Sequence, residues 1–516
     1  MKFKKIALIL SSLTIMSSMC ACGSNQAPSS SNNNTKGALG FGMNEGADGA
    51  GSIAGFINNG FGGSVNYYYD RSIQNEFSDT TEVEFTKTAE NAVSTFSVDV
   101  DTASYQYIKS NILNGFDVEP ESVRLEEMLN SFTYSYAEPT NGDPLALTTH
   151  MYECPWNEDN LVVQIGLKAE EIDMSNRKPM NIVFLIDTSG SMDNPKKLPL
   201  IQKSLEQLVY KLGDKDVVSI VTYAGCSTIA LDGAKGSEPD KILDALADLT
   251  AWGSTDGEGG IEAAYKLAAK YSANCESSRV ILLTDGDFNI GISDDESLTE
   301  LIKKKAKSGI ELLVFGLGYG NLKDDNLEAL ADNGNGNYGY IGGITDANKC
   351  LVESFGGTFF TVAKDVKLQA EFNTDVVEEY RLIGYENRVL DEEDFEDDTV
   401  DAGEIGSGHT VTALYEIKLT EGASKGDNLC KLGMRFKEPK GDKSDLREFD
   451  VALDVPEVID PDLAFACSVV EFGMDLSDSK FKGNTSYKTI KELLEKSDTT
   501  NKYRAEFVDL VAEYYK

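Results

Sequence analysis

The sequence predicts an α/β protein whose centre is a doubly wound, mostly parallel sheet with helices on both faces. β-rich segments flank it and a helical C-terminal tail follows. Three observations carry this prediction. First, the runs 181–187, 217–223, 280–284 and 312–318 are continuously apolar, as strands buried on both faces are. Second, helical patterns separate them: Ile201, Leu205, Leu208, Val209 and Leu212; Ile242, Leu243, Leu246 and Leu249; Ala263, Ala264, Leu267 and Ala268. Strands alternating with helices imply parallel pairing. Third, the texture changes on either side: 145–170 and 365–455 alternate apolar and polar residues, as in Val411, Ala413, Tyr415, Ile417 and Leu419.

Taken in chain order, the elements begin with a secretory signal over 1–22. Lys2, Lys4 and Lys5 precede a short apolar run from Ile6 to Met16, and Met19-Cys20-Ala21-Cys22 places a small residue before a cysteine. The run is too short to span a bilayer comfortably. Ala21-Cys22 resembles the bacterial lipoprotein signal, which implies acylation of Cys22; an ordinary signal with incidental cysteines is the alternative. Residues 23–79 are rich in Ser, Asn and Gly, with few bulky apolar groups before Tyr67, and read as a flexible tether. An N-terminal extension (80–178) contains an expected strand at Thr95–Asp101 and an expected helix at Ser122–Phe132. The α/β unit spans 179–362. The C-terminal domain (363–516) is β-rich and then helical, with Ile490, Leu493 and Leu494 on one helix and Phe507, Leu510 and Val511 on another. Because the termini of α/β units are often neighbours, the two β-rich flanks are expected to pair into one sandwich with the α/β unit inserted.

Net charge is −39, which argues against nucleic acid and anionic lipid headgroups as partners. It also concentrates cations near the surface. Six cysteines follow Cys22, at 154, 226, 275, 350, 430 and 467, with no Cys-x-x-Cys pair. That pattern indicates neither a zinc module nor a redox motif, and leaves buried free thiols or unassignable disulfides. The acidic run 391–398 lacks the spacing and glycine of a calcium loop and reads as a solvated loop. Asp99-Val100-Asp101 is too short to mark a site.

The chemistry concentrates at the carboxyl end of the first buried strand, where the chain reads Asp187-Thr188-Ser189-Gly190-Ser191. Ligand sites in open α/β sheets lie just beyond the carboxyl ends of strands. Oxygens at i, i+2 and i+4 can curl round a small hard cation, and Gly190 eases the turn. Two neutral hydroxyls hold an ion weakly, so further oxygens are needed. Thr255 in Gly253-Ser-Thr-Asp-Gly257, ahead of a helix, and Asp285 in Thr284-Asp-Gly286, ending another buried strand, offer them. Without the metal, Ser189 and Ser191 would serve only as helix caps.

These three motifs, in this order and on these elements, resemble the von Willebrand factor type A (VWA) domain. The resemblance implies a Rossmann-like fold and a metal-ion-dependent adhesion site at Asp187, Ser189, Ser191, Thr255 and Asp285. The implied ion is Mg²⁺, with Mn²⁺ or Ca²⁺ as substitutes. Phe96–Tyr105, Arg124–Met128, Asp401–His409, Lys480–Asn484 and Tyr503–Phe507 extend the likeness to a bacterial VWA lipoprotein family with an N-terminal extension and a C-terminal domain of unknown function. The expected function is partner binding at the cell envelope, on the extracytoplasmic face of a lipid-anchored chain. A protein ligand would present an Asp or Glu that completes the metal coordination. The competing readings are a structural scaffold acting through the β-rich flanks and a metal-dependent enzyme. Catalysis finds little support: the only histidines, His150 and His409, lie outside the α/β unit, and no Gly-x-x-x-x-Gly-Lys loop is present. Gly316-x-Gly-x-Gly320 misplaces its third glycine for a dinucleotide fingerprint.

Overall fold

A computed structural model of the chain describes residues 54–55, 67–68, 77, 81–254, 257–286, 295–318 and 323–516. The signal segment with Cys22, nearly all of the segment read as a tether, and Thr255 lie outside the described residues. Within 23–79, Ala54–Gly55 pairs antiparallel with Tyr67–Tyr68. The ring of Phe77 sits 5.1 Å from that of Tyr107.

The α/β unit is a six-stranded sheet. Its strands are β1 (Met180–Asp187), β2 (Val217–Tyr223), β3 (Ser227–Lys235), β4 (Ser277–Thr284), β5 (Glu311–Leu317) and β6 (Tyr338–Ile341). The spatial order is 6-5-4-1-2-3. Every neighbouring pair is parallel except β2–β3. The antiparallel edge strand β3 has no counterpart in the sequence reading, because most of its residues are exposed and it carries no continuous apolar run. The longer helices are α1 (Leu198–Val209), α2 (Pro239–Ala247), α3 (Gly257–Tyr271), α4 (Asp295–Ala306) and α5 (Asp324–Asn333), and two short ones, Ile344–Asn348 and Phe355–Phe359, follow β6. Strand β1 shows why its run is unbroken. Ile182, Phe184 and Ile186 point to a core with Ile201, Leu205, Leu208 and Ile242. Val183 and Leu185 point to the opposite core, with Ile261, Ala264, Leu267 and Ala268. Each such side chain contributes about 1.5–3 kcal/mol on burial.

The flanks interleave. Val93–Ser97 pairs with Thr361–Phe372, and Leu161–Ala169 pairs with Thr410–Leu419. One sheet runs Val389–Leu390, Val93–Ser97, Thr361–Phe372, Asn428–Lys437, Ser444–Ala452. The other runs Thr86–Lys87, Val377–Ile383, Thr410–Leu419, Leu161–Ala169, Leu145–Glu153. Phe96, Val163, Ile165, Leu368, Ala370, Tyr415 and Met434 fill the space between the two sheets. The α/β unit is thus inserted between the strand ending at Ala169 and the one beginning at Thr361.

Residues Thr410–Leu419 were expected to alternate between core and solvent; instead both faces are covered. Val411, Ala413, Tyr415 and Ile417 face the sandwich core, while Leu414 joins a helical core with Met128, Phe465, Val469, Ile490 and Phe507. The helices of that core are Ala103–Asn114, Leu125–Asn130, Pro461–Leu476, Tyr487–Lys496 and Lys502–Tyr514. Glu416 lies on the same strand face, buried, where it accepts from Trp156, Asn157, Asn160 and Arg381 at 2.7–3.0 Å.

Two expectations shift. The strand ends at Ser97 rather than Asp101, because the Asp99 carboxylate accepts from Asp101 N–H (2.8 Å) and turns the chain inward. The helix expected over 122–132 divides into a 3-10 turn at Pro120–Ser122 and Leu125–Asn130, with Arg124 extended between them. All six described cysteines are free thiols. Among the described residues no helix is long and apolar enough to cross a membrane.

Candidate metal centre

The strand order reverses between β1 and β4, the switch point where open α/β sheets bind ligands beyond their carboxyl ends. Asp187 closes β1 and Asp285 follows β4. The chain after Asp187 turns tightly through Gly190–Met192. That turn is held from within: Ser189 N–H donates to Asp187 Oδ1 at 2.7 Å, and the Ser189 and Ser191 hydroxyls are hydrogen-bonded at 2.9 Å. It is also held from outside. Trp252 N–H donates to Thr188 O (2.8 Å), and Gly190 N–H to Gly253 O (3.0 Å). A Cβ at Gly190 would make an ordinary contact with Gly253 O at 3.4 Å, so the two loops meet through their backbones here.

Four of the five metal-site positions are described: Asp187, Ser189 and Ser191 on one loop, and Asp285 across the switch point. Thr255 lies outside the described residues, and Gly253 and Ser254 lead up to it. Asp187, Ser189 and Asp285 are buried, whereas Ser191 faces solvent. Among the described residues, Asp187 Oδ2 and Asp285 Oδ1 are buried oxygens that no donor meets in good geometry, although the Tyr223 hydroxyl lies close enough to Asp187 to hold its carboxyl down somewhat. Such orphan acceptors are costly and rare. Burial pushes the Asp187 carboxyl up to about 6; the Ser189 N–H opposes the rise and the Asp285 charge adds to it. Two carboxylates with orphaned oxygens beside two hydroxyls make a hard, oxygen-only donor set, which fits Mg²⁺, Mn²⁺ or Ca²⁺.

One residue here escaped the sequence reading. Lys197, directly before α1, places its Nζ 2.7 Å from Asp285 Oδ2. Its stem crosses Gly318, where a Cβ would come within 2.4 Å of Lys197 Cε. A second is Trp252, whose side chain is 70 % exposed while its backbone braces the Asp187 loop.

A second charged cluster joins the flanks to the α/β unit. Arg388 contacts Asp99, Asp101, Glu328 and Asp332 at 2.8–3.3 Å. Arg124 contacts Glu127, Asp324, Asp325 and Glu328 at 3.1–3.4 Å. Burial raises Glu328 to about 7 against the pull of both arginines. Asp101 also accepts from Tyr338 N–H (2.7 Å), tying the N-terminal flank to edge strand β6. Two guanidinium groups bridge seven carboxylates, so the cluster clamps the flanks to the α/β unit while staying net acidic. The acidic run 391–398 forms a capped 3-10 turn whose carbonyls, at Asp394 and Asp397, accept from Lys367. His150 lies in a sandwich strand and His409 directly before another, so neither belongs to the α/β sheet.

Comparison with known proteins shows which domains the chain carries. The family described as von Willebrand factor type A domain matches residues 181–349, and its members mediate protein–protein interaction. "Uncharacterized protein YfbK, C-terminal" matches 357–516, and "von Willebrand factor" matches 71–164. Uncharacterized protein YfbK of Escherichia coli (strain K12) is 38% identical over 451 residues, covering 82% of this chain and 78% of the relative. Inter-alpha-trypsin inhibitor heavy chain H3 of Bos taurus is 28% identical over 179 residues, 33% of this chain and 20% of that protein. Among solved structures, von Willebrand factor type A from Catenulispora acidiphila is 14% identical with a TM-score of 0.41, covering 70% of this chain and 88% of that one.

Proposed function

Given that this chain belongs to the bacterial family of VWA-domain proteins that includes YfbK, we propose that it binds a protein partner at the cell envelope through a divalent-cation adhesion site. The observation that carries the reading is the pair of buried carboxylate oxygens, Asp187 Oδ2 and Asp285 Oδ1, that no donor among the described residues meets in good geometry at the switch point of the sheet. Asp187, Ser189, Ser191, Thr255 and Asp285 would hold the ion, with Mg²⁺ the best match to hydroxyl ligands that retain water. A bound ion would supply an open coordination position for a carboxylate. Neutral hydroxyl ligands leave positive charge uncompensated, so an Asp or Glu of the partner gains both charge and coordination there. Ser191 marks the side open to solvent. The chain's net charge of −39 disfavours an acidic partner at long range, so recognition would be short-range and dependent on the ion.

In the same reading Cys22 carries a lipid, 23–79 spaces the folded part from the membrane, and the binding face looks away from the cytoplasm. The chain then divides in sequence at 80–178, 179–362 and 363–516, with the first and third segments building one body around the inserted second. The test is crosslinking capture from envelope extract in Mg²⁺, in EDTA and with Asp187→Ala. A partner held equally in all three arms sinks the metal reading. Cys22→Ala should release the protein from membranes; a variant that still sediments with them removes the anchor.

A further inference from the structure

We infer that Lys197 is a built-in competitor for the cation: its ammonium neutralises Asp285 when no ion is bound and must leave that carboxylate when one binds. This rests on the metal reading above. Three observations support it. The Lys197 ammonium is 2.7 Å from Asp285 Oδ2, and its side chain is only 12 % exposed. The stem is housed rather than draped over the surface: it crosses Gly318, whose φ of +78° and missing Cβ leave the space it uses. Finally, Lys197 satisfies one oxygen of Asp285 while the other, like Asp187 Oδ2, meets no donor among the described residues. One tethered positive charge therefore stands among two buried carboxylates, which is partial compensation. A divalent ion would supply more charge than the single ammonium does.

A competitor of this kind lowers the intrinsic affinity for the ion and so makes loading depend on what else arrives. The ion must displace a charge-assisted hydrogen bond, worth about 1.5–3 kcal/mol, equivalent to roughly ten- to hundredfold in Kd. A partner carboxylate that stabilises the bound ion would shift the balance away from Lys197. Metal loading and partner binding would then reinforce one another.

The experiment is calorimetric titration of the full chain, and of Lys197→Met and Lys197→Gln, with Mg²⁺ and separately with Mn²⁺. Thermal melts in EDTA and at saturating Mg²⁺ accompany it. Both variants keep the stem and lose the charge. The expected result is a Kd at least tenfold lower in both variants. They should also melt below wild type in EDTA, where Asp285 is left unpaired, and gain more on adding Mg²⁺. Equal affinities overturn the inference and leave the metal reading standing. Weaker binding by the variants overturns it too, and makes Lys197 a positioning residue that orients Asp285. If neither wild type nor variants bind either ion, the metal reading falls and this inference with it.

Discussion

Asp187→Asn should make the metal-free protein more stable while abolishing its response to Mg²⁺. Asp187 is fully buried, no donor meets its Oδ2 in good geometry, and burial lifts its carboxyl from the usual 3.8 to about 6. A raised carboxyl pKa means that the folded chain holds the proton more tightly than the unfolded one. The contribution of this carboxyl to stability is therefore intact below about pH 4 and is lost as pH rises to about 6. At pH 7.5 the full penalty is present, about 3 kcal/mol. Asparagine removes the charge and keeps an oxygen for Ser189 N–H. Its amide would stand where Oδ2 has no partner, giving back about 1–2 kcal/mol. The net gain is about 1–2 kcal/mol, or roughly 2–6 °C in Tm for a unit of this size. Wild type, by contrast, should gain about 2.7 kcal/mol, some 5–10 °C, when Mg²⁺ reaches about a hundred times its Kd. Differential scanning calorimetry at pH 7.5 with EDTA and with Mg²⁺ checks both arms. An asparagine variant that melts well below wild type in EDTA, or rises with Mg²⁺ as wild type does, would refute the reasoning.

Other consequences follow at sites remote from one another. Trp252→Ala should weaken capture of a partner by tenfold or more, since exposed tryptophans anchor interfaces, with Mg²⁺ affinity unchanged by calorimetry; a loss of Mg²⁺ affinity would assign Trp252 to the loop instead. Glu416→Ala leaves Arg381 buried without its partner and should cost about 3–5 kcal/mol by urea denaturation. A cost under 1 kcal/mol would show the four donors around Glu416 to be dispensable. Burial raises Glu471 to about 7, against a hydrogen bond from Thr489 (2.6 Å). Its contribution to stability, present at low pH, should be lost as pH rises through 7. Glu471→Gln should melt progressively higher than wild type from pH 5 to 8, by up to about 3 kcal/mol, and a pH-independent difference would argue against the shift.

The parts of this molecule legible in its sequence are those written locally. Strand β1 is continuous in sequence because Ile182 and Val183 face opposite cores, and the Asp-x-Ser-x-Ser spacing sits on one loop. The pairing of the flanks follows from the expectation that the α/β unit's ends are neighbours, although the registers, such as Ser97 with Lys367, are not encoded by spacing. What stayed hidden depends on chain segments far apart. Alternation at Val411–Leu419 suggested a solvent face, but helices from both flanks cover it. Lys197 looks like an ordinary helix-end lysine until Gly318, just past the end of β5, is seen to make room for it. Asp99 and Asp101 looked too sparse to matter because Arg388, Glu328 and Asp332 come from elsewhere.

The interleaved flanks also fix a timetable for synthesis. Val93–Ser97 cannot acquire its neighbour in the sheet until Thr361–Phe372 has been made, roughly 270 residues later. At about 5–20 residues per second the wait is on the order of tens of seconds. The inserted α/β unit has all of its strands by Ile341 and can mature meanwhile, whereas Phe96 and Val98 stay exposed as a waiting edge. Closure of the sandwich is then a late, long-range event whose loop entropy is reduced if the insert has already folded and brought its two ends together. The switch-point loops would thus be shaped before the scaffold that carries them is complete.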